Sequence, residues 1–267
     1  MLRERILTGI ALLAALLAAL LWLPAVWAAV VLAFVFGLAA IEWAGFAGLA
    51  AAPAKAGYAL LVAATCLLLH VVAATPAGLV AVLGAAMLWW FVALLWIVLA
   101  PERGGRLAAA AAGLVTLAPA WLATACLYAG SPRGPWLLLF AIGLVAAADT
   151  GAYFAGRRFG RVPLAPRVSP KKTWEGVFGG FLAAMLVAWL ANRHFGLPQA
   201  AFLALSAATI VVSVVGDLAE SLFKRHAGLK DSGSLLPGHG GVLDRIDSLT
   251  AAVPLLTLGL ALLGELR

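Results

Sequence analysis

The sequence predicts an all-α fold, a polytopic integral membrane protein with about nine transmembrane helices. Of its 267 residues, 65% are hydrophobic and only 11% are charged, and the mean hydropathy is +1.08. Soluble domains carry roughly 25% charged residues. Apolar runs of about 17–25 residues, the length a helix needs to cross a hydrocarbon core of about 30 Å, recur along the whole chain. Basic residues, finally, sort to one side of the bilayer once those runs are threaded through it.

The runs lie at 6–22, 25–41, 57–74, 77–99, 107–129, 136–155, 175–193, 199–222 and 249–264. The first opens on the basic stretch MLRER and leads to the small residue Ala28, as a secretory leader does. Its apolar run is longer than a leader core and further spans follow, so it is read as a retained helix. The third and fifth hold Cys66 and Cys126, far apart and without a CxxC or Cys/His spacing able to bind zinc, so both are packing residues. The sixth carries Asp149, the eighth carries Asp217 and Glu220, and the ninth follows the polar segment 223–248. No large soluble domain fits between the spans. The chain divides into N-terminal transmembrane helices, 1–130, and C-terminal helices with polar loops, 131–267.

With a cytoplasmic N-terminus and nine alternating helices, Arg3, Arg5, Lys55, Arg103, Arg106, Arg157, Arg158, Arg161, Arg167, Lys171, Lys172, Lys224, Arg225, Lys230 and Arg245 share the cytoplasmic side. Only Arg133, Arg193 and Arg267 fall outside, a 15 to 3 partition of the 18 basic residues. The net charge of +7 is therefore a membrane charge bias. Nucleic acid is excluded as a partner, since no aromatic or basic array for it is visible.

Two cytoplasmic segments, GRRFGRVPLAPRVSPKKTW (156–174) and FKRHAGLKDSGSLLPGHGGVLDRIDS (223–248), depart from the apolar background. Both follow spans that bring carboxylates, and an ionisable group in a spanning helix marks a functional site with a partner. Asp217, Glu220, Ser221 and Lys224 stand at i, i+3, i+4 and i+7, one stripe of a helix, and Asp244, Asp247 and Ser248 repeat the first part of that spacing. Joining the two stripes gathers up to four carboxylates, which cannot all ionise without compensating cations. Hard oxygen donors beside a phosphate-bearing substrate point to Mg²⁺. The plainer alternative is that Asp244 and Asp247 cap the last helix while Arg225 and Arg245 pair with carboxylates.

Lys171, Lys172, Lys224, Arg225, Lys230 and Arg245 supply enough donors for a triphosphate and a second phosphate. Gly238, Gly240 and Gly241, after Pro237, permit a tight turn and a close backbone approach to a ligand. No Walker A loop and no GxSxG occurs, and His239 is the one histidine of that turn.

The stretch SLFKRHAGLKDSGSLLPGHGGVLDRID, Ser221 to Asp247, resembles the signature of phosphatidate cytidylyltransferases, the CDP-diacylglycerol synthases. It has the Ser-x-x-Lys-Arg start, the Lys230–Asp231 pair, the Gly-His-Gly-Gly turn and the Asp-Arg-x-Asp end at the family's spacing. ADTGAYFAGRRFG and SPKKTWEG resemble family segments as well, while the N-terminal half is similar only in hydropathy and topology. The resemblance implies an Mg²⁺-dependent reaction of CTP with phosphatidate, a membrane lipid, in the cytoplasmic (inner) membrane of a bacterium. It also implies a homodimer whose clefts open to cytosol and lipid. On that footing Asp217 and Asp244 are the expected principal metal ligands, with Glu220 and Asp247 beside them. Lys224, Arg225, Lys230 and Asp231 join the catalytic set. Lys171, Lys172, Ser221, His239, Gly240, Gly241, Arg245 and Asp149 are the expected substrate-binding set. A CTP-dependent lipid-alcohol kinase is the near rival. An ion-coupled transporter is a rival from another class, although it would be expected to hold its carboxylates near the midplane.

Overall fold

In a computed structural model of the chain, residues 14, 15, 17–236 and 240–266 are described. Eight helices long and apolar enough to cross a bilayer follow one another: α1 (Ala25–Phe46), α2 (Ala52–Val72), α3 (Pro76–Leu99), α4 (Arg106–Ala129), α5 (Gly134–Phe159), α6 (Trp174–Phe195), α7 (Gln199–His226) and α8 (Leu243–Leu262). The expected first span lies largely outside the described residues, as do Arg3, Arg5 and Arg267. Residues 17–22 are helical, and Leu20 offers its carbonyl to Tyr128 Oη at 3.2 Å. The chain is a nearly all-helical, multi-pass membrane protein.

Local chemistry sets the helix ends. Pro53, Pro76 and Pro135 sit in first turns, where a missing N–H costs nothing. Thr75 and Thr173 accept from Gly78 N at 3.1 Å and Gly176 N at 3.2 Å as caps. Gly196, with φ +65°, closes α6 in the left-handed conformation.

Contacts between loops place successive connections from α3 onward at alternate ends of the bundle. At one end His226 Nε2 meets the Pro101 carbonyl at 2.8 Å and Arg167 lies 3.7 Å from Glu102. These contacts join the α3–α4, α5–α6 and α7–α8 connections. At the opposite end Arg133 donates to the Phe195 carbonyl at 2.7 Å, joining the α4–α5 and α6–α7 turns.

The α5–α6 connection adds an element that hydropathy did not predict. Pro163–Ala165 (β1) and Ser169–Thr173 (β2) form an antiparallel hairpin, tied off by Trp174 N donating to the Val162 carbonyl at 3.0 Å. Pro163, Pro166 and Pro170 deny this segment the N–H groups of a helix and leave it extended.

Helix α8 is the hub, packing against α3, α4, α5 and α7. Its buried Leu256 and Leu260 share a core with Leu127 and Leu144, and Thr257 donates to the Ala123 carbonyl at 3.2 Å. A second core joins α1, α2 and α4, where Trp43 and Tyr58 donate to the Ala109 and Ala110 carbonyls at 2.8 and 2.7 Å. The two halves of the sequence are thus packed together through α4 and α8.

Lipid gives apolar helices no hydrophobic reason to associate, so close packing depends on small residues that admit backbone to backbone. In the α5–α6 pair, Ala148, Ala152 and Gly156 face Gly176 and Gly180. A Cβ on Gly180 would stand 3.1 Å from Ala152 Cβ and 3.2 Å from the Ala148 carbonyl carbon. Gly180→Leu is therefore expected to destabilise the protein by about 1–3 kcal/mol, read as earlier thermal unfolding in detergent. Unchanged unfolding would show that α5 and α6 separate without cost.

Candidate functional site

The site is built where α7 and α8 come closest. Gly216 makes that approach possible, because a Cβ there would lie 2.8 Å from the Asp247 carbonyl and 2.9 Å from Ala251 Cβ. Asp217 and Glu220 on α7 thereby come up against Asp247 on α8. The helical spacing read in the sequence does place Glu220 beside Lys224, whose ammonium reaches Glu220 Oε2 at 3.3 Å and Asp244 Oδ1 at 2.7 Å. Both partners are nearly shut off from solvent: the Glu220 side chain is 2% exposed and that of Lys224 13%.

From this ion bridge the carboxylates continue outward. The Glu220 and Asp247 carboxyl groups lie within electrostatic reach of one another. Asp217 is ion-paired to Lys172, brought in from β2. Asp149 on α5 lies within electrostatic reach of Asp217, Lys172 and Arg245. Five acidic groups from three helices are thus interleaved with two buried or half-buried ammonium groups.

A cleft of about 540 Å³ opens beside them, between α5, α6, α7 and β2. Asp149, Arg157, Lys171, Lys172 and Asp217 line its polar end. Val177, Phe181, Ile210 and Val214 form apolar walls. An anionic head group with an apolar tail matches that division.

The described parts of the signature loop, 227–236 and 240–242, meet the carboxylate chain at Asp244. Asp244 Oδ2 accepts from Ser232 N at 3.0 Å and Gly241 N at 2.8 Å, while Oδ1 takes Lys224. Both oxygens of Asp244 therefore hold protein donors. Gly240 adopts φ +80°, and a Cβ on it would meet Asp244 Oδ2 at 2.8 Å, so glycine serves this turn for conformation and for space. Arg225, Lys230, Asp231 and Arg245 are exposed around this loop and Ser221 is half-buried on α7. His239, with Pro237 and Gly238, lies outside the described residues.

Helix α8 starts at Leu243, six positions before the expected run at 249, so Asp244, Arg245 and Asp247 occupy its first two turns. Among the described residues, no three His, Cys, Asp or Glu stand together as a metal cage. The donor chemistry nonetheless fits a hard divalent cation. Asp217, Glu220 and Asp247 offer only carboxylate oxygens, and Glu220 Oε1 is buried without a hydrogen-bond partner among the described residues.

Glu42 is a site residue that the sequence reading missed. It lies in α1, 6% exposed, and receives hydrogen bonds from Ser232 and from the start of α8. The apolar run 25–41 stops immediately before it, whereas the helix continues to Phe46. The signal was a single carboxylate in an otherwise uncharged span.

Spanning helices that bring charged groups to the polar mouth of a half-apolar cleft define a membrane-embedded binding site. A family model, the Cytidylyltransferase family, matches residues 3–263. The chain is 43% identical over 261 residues to a phosphatidate cytidylyltransferase of Pseudomonas aeruginosa, with 95% of each chain covered. It is 56% identical over 129 residues to the phosphatidate cytidylyltransferase of Haemophilus influenzae, across 46% of this chain and 44% of that one. Over 161 residues it is 47% identical to that of Brucella suis, 58% of each chain. The chain belongs to the cytidylyltransferase family.

Removing the cation from the central bridge isolates Glu220 in a dry site. Lys224→Met is expected to destabilise the protein by about 3–5 kcal/mol, measured as lost resistance to thermal unfolding in detergent. Adding Glu220→Gln to the same chain should restore most of the loss. Equal stability of Lys224→Met and the unaltered chain would show that solvent already reaches Glu220.

Proposed function

We propose that this chain is a phosphatidate cytidylyltransferase, joining phosphatidate to the cytidylyl group of CTP. A phosphatidate oxygen attacks the α-phosphorus of CTP, the bond from that phosphorus to the oxygen bridging the β-phosphate breaks, and pyrophosphate leaves. The products are CDP-diacylglycerol and pyrophosphate. The attacking oxygen is already anionic, so no protein nucleophile is required.

One observation carries this reading: the chain of acidic and basic side chains ends at the mouth of a cleft whose inner walls are apolar. Such a cleft suits a reaction between one water-soluble anion and one anion anchored in lipid. The apolar walls receive the acyl-chain end of phosphatidate. Lys171, Lys172 and Arg157 meet its phosphate. Arg225, Lys230 and Arg245, exposed beside the signature loop, meet the triphosphate.

Mg²⁺ belongs in this reading on donor chemistry, with Asp217, Glu220 and Asp247 as the residues that would hold it. Asp244, a ligand expected from the sequence, is assigned instead to the loop, whose amides and Lys224 already take its oxygens. Bound there, the ion would supply Lewis-acid neutralisation of phosphate charge. The lysines and arginines orient both substrates and offset charge on the departing pyrophosphate.

The polar end faces the cytoplasm of a bacterium, in its inner membrane, where CTP is available and where the basic residues collect. A homodimer completes the reading.

Purified protein, phosphatidate, Mg²⁺ and CTP labelled at either the α- or γ-phosphate give the test. Label from the α-position is expected in CDP-diacylglycerol, and label from the γ-position in pyrophosphate. A γ-labelled lipid would instead mean a kinase, and no labelled lipid from folded protein would sink the assignment. Chelation with EDTA should stop turnover and added Mg²⁺ restore it. Asp217→Asn and Asp247→Asn should each lower kcat by at least about 100-fold, the scale of one lost transition-state contact, with membrane insertion intact. Near-normal kcat in either removes that residue from the metal set.

A further inference from the structure

We infer that Glu42, on the first described spanning helix, is a positioning residue for the reaction, capping the catalytic helix α8 from across the bundle and fixing the signature loop over it. The part of the inference that concerns turnover rests on the reading above. Glu42 Oε1 accepts from Val242 N at 3.0 Å, and Oε2 accepts from Leu243 N at 2.8 Å and from Ser232 Oγ at 2.9 Å.

The first amides of a helix have no partner within it, and the partial positive charge at that end favours an anion. Val242, the cap position of α8, makes no side-chain capping bond of its own. Glu42 supplies the missing acceptor from another helix. The consequence reaches the charged site through Ser232, whose N–H donates to Asp244 Oδ2 and whose Oγ accepts from Asp244 N at 3.3 Å. Glu42, Ser232 and Asp244 therefore close the loop on itself and set the rotation of α8. That rotation decides where Arg245 and Asp247 stand relative to α7.

The glycines confirm how closely the carboxylate is fitted. A Cβ on Gly233 would meet Glu42 Cδ at 2.8 Å, and one on Gly241 would meet the same atom at 2.7 Å. Gly241, expected from the sequence in the substrate-binding set, also leaves the room that Glu42 occupies.

Glu42→Gln probes the carboxylate with little change of shape. An amide nitrogen cannot accept, so whichever way the group turns it faces at least one of the Val242 and Leu243 N–H groups with another donor. Hydrogen exchange should therefore quicken about 10- to 100-fold across 231–243, the scale of one lost charged hydrogen bond. CDP-diacylglycerol formation should fall over a similar range in kcat, with the KM for phosphatidate unchanged. Ser232→Ala should do the same more weakly. Because the two groups act as one unit, the double variant should be no slower than Glu42→Gln alone.

Wild-type exchange across 231–243 in folded Glu42→Gln would overturn the inference, as would strictly multiplying effects of the two substitutions. So would a kcat left unchanged in a wild-type enzyme that makes CDP-diacylglycerol. If the unaltered chain makes no CDP-diacylglycerol, the proposed function fails, and the exchange measurement still decides whether Glu42 holds the loop.

Discussion

The ammonium group of Lys224 is the constraint around which the charged end of this molecule is arranged. Carboxylates from α7 and α8 cannot be brought together at the edge of a hydrocarbon layer unless a cation stands between them. Lys224 does this from within the bundle, touching Glu220 at 3.3 Å and Asp244 at 2.7 Å. Lys172 repeats the device at Asp217, but from the hairpin outside the helices. One cation is thus set by helix geometry and the other by a loop. The cleft lies beside the loop-borne one.

Small residues make the electrostatics possible. Gly216 lets α7 reach the backbone of α8 next to Asp247, and Gly180 lets α6 press against α5 below Asp149. In both places the absence of a side chain is next to a carboxylate. Close backbone approach and charge placement are therefore coupled: widening either helix pair by a methylene moves an acidic group away from its cation.

Much of this was legible in the sequence, and the limits of legibility have physical causes. Hydropathy located the spans because each must match the bilayer, and i, i+3, i+4 spacing placed Glu220 beside Lys224 because α-helical geometry fixes that neighbourhood. Hydropathy could not show that α8 begins at Leu243, since its first turns are polar and are satisfied by Glu42 and Asp244 rather than by lipid. Nor could it show the hairpin, whose register comes from tertiary pairing. Glu42 was invisible for a related reason. Its partners lie far along the chain, and one sequence has no local pattern that links a carboxylate in an early helix to the amides of a late one. Gly241 has the same kind of long-range neighbour, since the space a side chain would take there is filled by Glu42.

The distance along the chain between Glu42 and the amides it accepts has a bearing on biogenesis. Glu42 and Val242 are 200 residues apart, and synthesis at about 5–20 residues per second separates their emergence by on the order of 10–40 s. During that interval the nascent chain has α1 in or near the bilayer with an acidic group whose final donors do not yet exist. The N-terminal helices must then tolerate that group at the membrane boundary, and the arrival of α8 is the event that buries it.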